Sequence, residues 1–326
     1  MGGQPAMRTV DVAIVGAGPA GIAAALAAAE SGVRTLLIDE SPKVGGHLHW
    51  RISQTLTDNA GLPVATGPGP QVAAELESLL ASFSNLTLSL NTVAWGLFED
   101  RVLALASEDH AEEVQADAII LTTGSTDIAA PFPGWTLPGV LTARAAQTFL
   151  HVHRVLPGHR WAILGEGDDA DELAGDLARC DVEIVVRHGS VDNFRASGTN
   201  RLAHVEIEDD VYEVDALAIA MGRQPDAELA FQAQARGAFV RVLGGYTPFR
   251  DLNGQTSEVG VYVAGDAAGI ATLPELVAEG QLAGKAAAGA GDAELTRAQG
   301  LLNTVANRRR REAIERSRLT DSLNPS

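Results

Sequence analysis

Hydrophobic and polar positions alternate along the chain in a way that predicts a mixed α/β fold. Largely apolar runs at 10–15, 33–39 and 116–122 are typical of parallel strands, since strands covered on both faces lack a polar alternation. The alanine-rich stretch 20–31 predicts a helix that ends at Gly32. A strand, a helix and a second strand in this order form a βαβ unit.

The same pattern recurs further along the chain. A second βαβ unit is predicted from strands at 161–164 and 182–186 with a helix over 169–179 between them. Other segments with helical or strand periodicity are helices over 70–82, 143–150 and 273–289, strands over 203–207, 216–221 and 260–264, and a small β-meander within 86–106.

The order of these elements predicts one nucleotide-binding domain interrupted by a smaller one. Residues 1–155 and 222–295 form the first domain, and residues 156–221 form an inserted, reduced domain of the same type. Residues 296–326 form a basic C-terminal tail that carries Arg308–Arg311. Such an arginine run is either a solvated helix face or a docking site for an acidic partner.

Composition narrows the classes of function. The net charge of −18 over 326 residues argues against nucleic acid as a partner, because polyanions would be repelled. The single cysteine, Cys180, excludes an internal disulfide, a CxxC redox pair and an all-cysteine iron–sulfur site. No run of about 18 apolar residues that could cross a bilayer is present, and residues 1–10 lack a signal-peptide profile. We therefore expect a cytoplasmic protein that is not transmembrane, with attachment to the surface of a membrane complex as an open alternative.

A glycine-rich motif follows the first strand and opens the first helix. It reads Gly16-Ala17-Gly18-Pro19-Ala20-Gly21. Its first glycine permits a tight turn, its second lets the backbone approach a pyrophosphate, and its third lets the helix pack on the strand. Asp39 lies 18 positions after Gly21, where a carboxylate accepts hydrogen bonds from an adenosine ribose, and Glu40 is the neighbouring candidate.

A second motif lies near the other end of the chain. The strand 260–264 leads into Gly265-Asp266-Ala267 at the start of a predicted helix. The aspartate is suited to the ribityl hydroxyls of a flavin, with the following N–H groups facing its phosphate. The alternative is that Asp266 only caps the helix. Together the two motifs predict one FAD site built from both ends of the chain.

These motifs, with Thr122-Thr123-Gly124 and Gly222-Arg223-Gln224-Pro225, resemble the pyridine nucleotide–disulfide oxidoreductase superfamily of flavoproteins. The resemblance implies two dinucleotide-binding domains, an FAD Rossmann-like domain and a small inserted Rossmann-like domain. Residues 39–46 resemble the superfamily's stretch that leads into a Gly-Gly pair near the flavin. The resemblance thus implies that Gly45, Gly46, Thr122, Thr123 and Gly124 border the cofactor.

A narrower resemblance rests on residues 131–140 and 142–147. They are similar to the α-type subunits of heteromeric amino-acid dehydrogenases, which include opine oxidases, dye-linked proline dehydrogenases, hydrogen cyanide synthase and sarcosine oxidase. This resemblance implies a partner β subunit, itself a flavoprotein, that oxidises the substrate. A small iron–sulfur subunit is a further candidate partner.

The chain departs from the superfamily pattern at two points, which bear on disulfide reduction and on nicotinamide binding. Its disulfide reductases need a cysteine pair, which one cysteine cannot supply. The glycine turn of the inserted domain is followed by Asp168, Asp169 and Asp171, whose charges would oppose a pyrophosphate there. We therefore expect no nicotinamide at this turn, although Arg187 is a candidate for a 2′-phosphate. A stand-alone NAD(P)H-dependent reductase and a non-catalytic nucleotide-bound scaffold remain the alternatives.

The chain offers few general acid–base groups of its own. No Ser/His/Asp arrangement and no cluster with metal-ligand spacing stands out, so we predict no catalytic side chain and no metal site. His47 and His49 follow the Gly-Gly pair, and they are either loop residues or neighbours of the flavin. The chemistry is expected to belong to the cofactor, which the protein binds and orients.

Overall fold

A computed structural model describes residues 7–50, 62–63 and 67–306. The chain forms two units: unit 1 comprises the described residues up to Ser125 and from Gln224 onward, and unit 2 comprises Thr126–Arg223. These bounds differ from the domain bounds predicted above. Residues 126–155, assigned to the first domain, belong to unit 2 because Val140–Thr142 pairs in parallel with the central strand Ala216–Ala220.

Unit 1 is built on a sheet that has seven strands among the described residues. They are β1 (Arg8–Val15), β2 (Thr35–Ile38), β3 (Leu86–Ser89), β4 (Val93–Phe98), β5 (Val102–Ala106), β6 (Ala111–Leu121) and β18 (Val261–Val263). The order is β3-β2-β1-β6-β5-β4, and β18 also pairs with β6. The predicted strands at 10–15, 33–39 and 116–122 correspond to β1, β2 and β6.

Strand β6 is longer than predicted because its two halves have different neighbours. Its first half pairs antiparallel with β5, so that Val102 lies opposite Gln115. Its second half pairs in parallel with β18, where Val261 lies opposite Ile119. Strand β6 also pairs in parallel with β1. The strands that precede the two glycine motifs are therefore separated only by β6, and both motifs leave the same edge of the sheet.

Five α-helices of unit 1 lie among the described residues: α1 (Pro19–Glu30), α2 (Gly69–Ala81), α5 (Glu228–Gln232), α6 (Leu273–Ala287) and α7 (Asp292–Val305). Helix α1 is buried along its whole length except Glu30, because its alanines and glycine let neighbouring elements approach closely. Helix α6 is one of these neighbours. A Cβ on Gly280 or on Gly284 would clash with the carbonyl oxygen of Ala20 or of Ala24, respectively.

The C-terminal end of the described chain is helical where a tail was predicted to begin. Helix α7 continues to Val305, and it is held by a hydrogen bond from Gln299 to Asn253 and an ion pair between Lys285 and Glu294. These contacts come from other parts of the chain, so residues 296–305 are not a free tail. The arginine run 308–311 lies outside the described residues.

Unit 2 contains a parallel sheet and a small antiparallel sheet. The parallel strands, in spatial order, are β10 (Glu183–His188), β9 (Arg160–Gly165), β14 (Ala216–Ala220) and β8 (Val140–Thr142). The antiparallel strands are β11 (Phe194–Ser197), β12 (His204–Ile207) and β13 (Asp210–Glu213). Helix α4 (Asp168–Leu177) follows β9, as the second βαβ pattern predicts.

The helix predicted over 143–150 is divided in two. It begins as α3 (Ala143–Gln147) and continues as a π-helical turn over Thr148–His153. Gln147, the last residue of α3, donates to the buried carboxylate of Asp176 at 3.0 Å, and His151 Nε2 in the π-helical turn lies 2.8 Å from the same carboxylate, so this segment is tied to α4. Such long-range hydrogen bonds leave no periodic signal in the sequence.

The remaining strands are short. They are β7 (Ser125–Asp127), β15 (Arg223–Pro225), β16 (Gly237–Val240) and β17 (Gly245–Pro248). Strands β16 and β17 form an antiparallel hairpin in unit 1. No helix in the described part of the chain combines the length and the apolar character needed to cross a bilayer.

Candidate functional site

The glycine turn after β1 is held against the end of β6. Gly16 has φ +103°, a conformation that favours glycine, and a Cβ there would clash with the carbonyl of Thr122. The Thr122 hydroxyl donates to the carbonyls of Val15 and Gly16, at 2.9 and 2.8 Å. A Cβ on Gly21 would in turn clash with the Gly16 carbonyl. The roles of the first and third glycines are therefore steric.

The second glycine faces open space. Gly18 is the N-cap of α1, no side chain caps this helix, and its first turn contains no acid. A Cβ on Gly18 would meet nothing within 4 Å. Pro19 and Ala20 follow it and are buried. Backbone N–H groups at an uncapped helix N-terminus, together with the positive end of the helix dipole, suit a phosphate.

The two acids at the end of β2 differ in environment. The Asp39 carboxylate accepts from the N–H of Ala17 at 2.5 Å and from the N–H of Ser41 at 2.8 Å. It therefore ties the glycine turn to the end of β2. A carboxylate has about four acceptor positions, so both oxygens retain capacity for a ribose. Glu40, by contrast, is exposed.

The Gly-Gly pair lies beside the same turn. The N–H of Gly45 donates to the Ala17 carbonyl at 2.7 Å, and a Cβ on Gly46 would approach the Gly18 Cα at 3.1 Å. His49 Nε2 lies 2.8 Å from the Val44 carbonyl. His49 thus fixes the loop in which the two glycines have φ of +122° and +49°. This contact agrees with the loop role, one of the two roles predicted for this histidine.

The segment Thr122-Thr123-Gly124 connects the glycine turn to residues near 226. The Thr123 hydroxyl donates to the Asp226 carbonyl at 2.5 Å, and the Asp226 N–H donates to the Gly124 carbonyl at 3.0 Å. Asp226 is half-buried. Burial raises the pKa of its carboxyl, and the nearby Glu228 charge raises that pKa further. Sequence reasoning did not single out this acid.

The second motif contacts the first directly. Gly265 has φ +72°, and a Cβ there would lie 2.7 Å from the Ala20 Cβ. Asp266 is buried, with its carboxylate accepting from the Ser125 hydroxyl at 2.9 Å and from the Ala271 N–H at 3.1 Å. Residues Gly265–Ala268, which include Ala267, form a buried 3₁₀ turn. The two ends of the chain therefore converge in unit 1.

Asp266 is not the N-cap of the following helix. That position belongs to Thr272, which forms a capping box with Glu275, whose side chain accepts from the Thr272 N–H at 2.8 Å. The alternative in which Asp266 only caps the helix is therefore wrong for α6. Its carboxylate instead fixes the loop between the 3₁₀ turn and the helix.

A buried ion pair supports the second motif. Arg250 lies 2.9 Å from Glu279 on α6, and its guanidinium also donates to the Ala268 carbonyl. The other oxygen of Glu279 accepts from the Gly265 N–H at 3.0 Å. Both side chains are under 8% exposed. The sequence offers no local signal for this pair, since 28 residues lie between its members and neither belongs to a motif.

The corresponding glycine turn of unit 2 leads into a helix whose first turn is acidic. Helix α4 begins after Gly167 with three acids in its first turn. Asp169 lies 3.2 Å from Arg223, and Asp171 lies 2.6 Å from Arg187. The two arginines are therefore already paired with carboxylates of the turn itself. Within the described residues, no group of three or more His, Cys, Asp or Glu side chains is arranged to hold a metal ion.

Comparison with known proteins agrees with this geometry. Residues 10–194 match the family described as Pyridine nucleotide-disulphide oxidoreductase. The chain belongs to this family. Members of the family are oxidoreductases that use a flavin, so the resemblance predicted from the paired motifs is confirmed.

The names of two similar proteins agree with the narrower resemblance to amino-acid dehydrogenases. The chain is 28% identical over 334 residues to the A subunit of opine oxidase from Agrobacterium tumefaciens (strain Ach5), an alignment that covers 85% of this chain and 65% of that protein. The L-proline dehydrogenase structure from P. horikoshii superposes with a TM-score of 0.77 at 27% identity, covering 92% of this chain and 60% of that one. The chain thus spans less than two thirds of either protein.

A more distant structure shows the fold alone. Thioredoxin reductase from T. acidophilum superposes with a TM-score of 0.64 at 18% identity, covering 86% of this chain and 98% of that one. The α/β fold predicted from the sequence, with two dinucleotide-binding-type domains, is therefore confirmed. The chain has one cysteine, so it lacks the cysteine pair that the disulfide reductases of this superfamily need.

Proposed function

We propose that this chain is the FAD-binding α-type subunit of a heteromeric flavin-dependent dehydrogenase that acts on amines or amino acids. A partner flavoprotein subunit would oxidise the substrate, and this chain would relay the electrons to an external acceptor. The observation that carries the proposal is the convergence of the two motifs, in which Gly265 packs on Ala20 beside the uncapped start of α1.

The residues at this convergence fit FAD. Gly18 would let the pyrophosphate approach the uncapped amides of α1, because it has open space around it, whereas Gly16 and Gly21 would keep the turn and the helix close together. Asp39 would accept from the adenosine ribose, and Gly265 and Asp266 would hold the flavin half. When bound, FAD supplies the two-electron acceptor, and the protein's part is to bind and orient it.

The relatives support the division of labour between subunits. The opine oxidase relative is named as one subunit of its enzyme, and the proline dehydrogenase is named for an amino-acid substrate. An amine or amino acid is therefore the substrate class that we assign to the assembled enzyme. A small iron–sulfur subunit remains a candidate for carrying electrons onward.

One observation favours a second candidate function, a stand-alone NAD(P)H-dependent reductase. Unit 2 has the four-stranded parallel sheet that nicotinamide-binding domains use. Against it, the first turn of α4 carries three carboxylates, two of which pair with the nearby arginines. A dinucleotide would have to displace these pairs and bind beside the acids.

Turnover assays separate the proposal from its rivals. The purified chain loaded with FAD should not oxidise proline or an opine, whereas the complex with its partner subunit should reduce the flavin of this chain when the substrate is added. Complete turnover by the isolated chain would contradict the division of labour. A flavin that stays oxidised in the working complex would indicate a scaffold.

A further inference from the structure

The β16–β17 hairpin of unit 1 carries an exposed aromatic pair. Phe239 and Tyr246 are cross-strand partners, their rings meet edge to face at 5.4 Å, and they are 62% and 65% exposed. Val242, in the turn between the strands, is also exposed. Aromatic side chains grouped at the surface are typical of sites that bind another protein.

The segment that contains the hairpin has a charge opposite to that of the chain. Residues 229–250 include no Asp or Glu, although the chain as a whole has 42 acids and 24 Lys and Arg. Arg236 and Arg241 are exposed at the hairpin. Arginine is enriched at protein interfaces and attracts acidic surfaces, so an acidic partner would be steered to this part of a chain that otherwise repels it.

The hairpin is also connected to the second motif. The Leu243 carbonyl accepts from the Ile270 N–H at 3.0 Å, and a Cβ on Gly269 would lie 3.0 Å from the Leu243 Cβ. Arg250, just after β17, donates to the Ala268 carbonyl. A protein seated on the hairpin would therefore contact the element that holds the loop of Asp266 in place.

We propose that the β16–β17 hairpin is the docking surface for the substrate-oxidising subunit, whose contacting face is acidic around an apolar recess. The inference rests on the proposed function, because it assigns a location to the partner named there. We assign the surface to an acidic protein because the exposed aromatic pair needs an apolar counterpart beside the acidic groups that would face Arg236 and Arg241.

A second aromatic pair provides a matched control. Trp95 and Phe98 on β4 also meet edge to face, at 5.8 Å, and are 56% and 51% exposed. Next to them along the chain are Glu99 and Asp100. The ring geometry and exposure of the two pairs are alike, although one pair is cross-strand and the other lies on a single strand. Glu99 and Asp100 outnumber the Arg101 that follows them, so only the hairpin pair should bind the acidic partner.

The test uses the native complex, recovered through a tag on this chain. The partner subunit is identified by mass spectrometry and purified, and its Kd for the full chain is measured at low and high salt. The variants are Arg241→Glu, Phe239→Ser with Tyr246→Ser, and the control Trp95→Ser with Phe98→Ser. FAD content and unfolding midpoints verify that each variant is folded.

We expect Arg241→Glu to raise the Kd about tenfold or more and to flatten its salt dependence. The hairpin double variant should raise the Kd about thirtyfold or more, as for central aromatic residues of an interface. The control should bind like the wild type. Hairpin variants that bind normally, or a control that is weakened equally, would overturn the docking proposal and leave the proposed function intact.

Hydrogen exchange on the wild-type complex covers the case in which a hairpin variant fails to fold. Amides of 237–248 should be protected when the partner binds, and those of 93–98 should not. The reverse pattern would overturn the proposal. A native complex without a second flavoprotein subunit would overturn both this inference and the proposed function.

Discussion

The carbonyl oxygen of Ala20 occupies the space that a side chain on Gly280 would need. This contact brings α6 against the start of α1, four residues after the glycine turn begins. Because α6 follows the second motif and α1 follows the first, the packing of these two helices aligns both halves of the proposed FAD site. The same relation repeats one turn later between Gly284 and Ala24.

The first prediction concerns this helix contact. Gly280→Ala should lower the free energy of unfolding by ~1–3 kcal/mol, because the added methyl group overpacks the interface, and it should weaken FAD binding. Chemical unfolding and FAD titration measure both effects.

The control is Gly300→Ala in helix α7, where a Cβ meets nothing within 4 Å. This substitution should instead stabilise the protein by ~0.5–1 kcal/mol, since alanine favours a helix more than glycine. If Gly280→Ala stabilises the protein as Gly300→Ala does, the α1–α6 contact is not as close as described.

The second prediction concerns the buried pair of Arg250 and Glu279. Arg250→Met should cost about 3–5 kcal/mol of unfolding free energy, because it leaves the Glu279 charge buried without its cationic partner. Glu279→Gln should cost less, since the amide oxygen still accepts from the Gly265 N–H.

A double-mutant cycle identifies the coupling in this pair. The double variant Arg250→Met with Glu279→Gln should be less destabilised than the sum of the single variants, because it leaves neither charge buried alone. If the changes in unfolding free energy of the single variants simply add in the double variant, Arg250 and Glu279 are not coupled.

Much of the fold could be predicted from sequence because its signals are local. The apolar run before Gly16 and the alanine-rich helix after it predicted β1 and α1 within two residues at each end. Strand β8 was missed because three residues give no periodicity, and only its pairing with β14 makes them a strand. The π-helical turn was missed because the hydrogen bond from Gln147, just before the turn, reaches Asp176, 29 residues away, and leaves no periodic signal.

In the candidate site, too, only the residues with a local sequence signal could be predicted. The glycines are visible in the sequence because their spacing follows from the geometry of the turn. Arg250, Glu279 and Asp226 are not visible, since each acts through a contact with a residue far along the chain. The small residues at 280 and 284, spaced by one helical turn, were the available signal for the α1–α6 contact.

The third prediction is a pH dependence caused by Asp226. Burial and Glu228 raise the pKa of this carboxyl in the folded protein. As the pH rises above the ordinary aspartate value of 3.8, the unfolded chain ionises first, so ionisation favours unfolding until the pH passes the folded pKa. Asp226→Asn should therefore be more stable than the wild type at neutral pH, and this advantage should shrink as the pH falls towards 3.8.

Unfolding midpoints across this pH range measure the effect. Glu228→Gln is the matched control, because it removes only the neighbouring charge and should give a smaller gain of the same sign. A stability difference between Asp226→Asn and the wild type that does not change with pH would contradict the raised pKa.

The fourth prediction concerns nicotinamide. Anaerobic mixing of the FAD-loaded chain with NADH or NADPH should not bleach the flavin rapidly. At the turn of unit 2, Asp169 and Asp171 form ion pairs with Arg223 and Arg187, so these arginines are not available to a nicotinamide dinucleotide. Dithionite should bleach the same sample, which shows that the flavin is reducible. Rapid bleaching by either nicotinamide would favour the stand-alone reductase.

The cofactor content of a matched pair of variants tests whether one FAD is held between the two motifs. Gly18 and Gly291 are both N-cap glycines with negative φ and open space around them. Valine at either position should have a similar small effect on the fold. Only at Gly18 would the side chain enter the space assigned to the pyrophosphate.

Acid release of the cofactor followed by mass spectrometry gives the amount and identity of the bound nucleotide. We expect one FAD per chain in the wild type and in Gly291→Val, and almost none in Gly18→Val despite a similar unfolding midpoint. A wild-type chain that retains no FAD at saturating concentration, or a Gly18→Val chain that retains it fully, would show that FAD is not held between the two motifs.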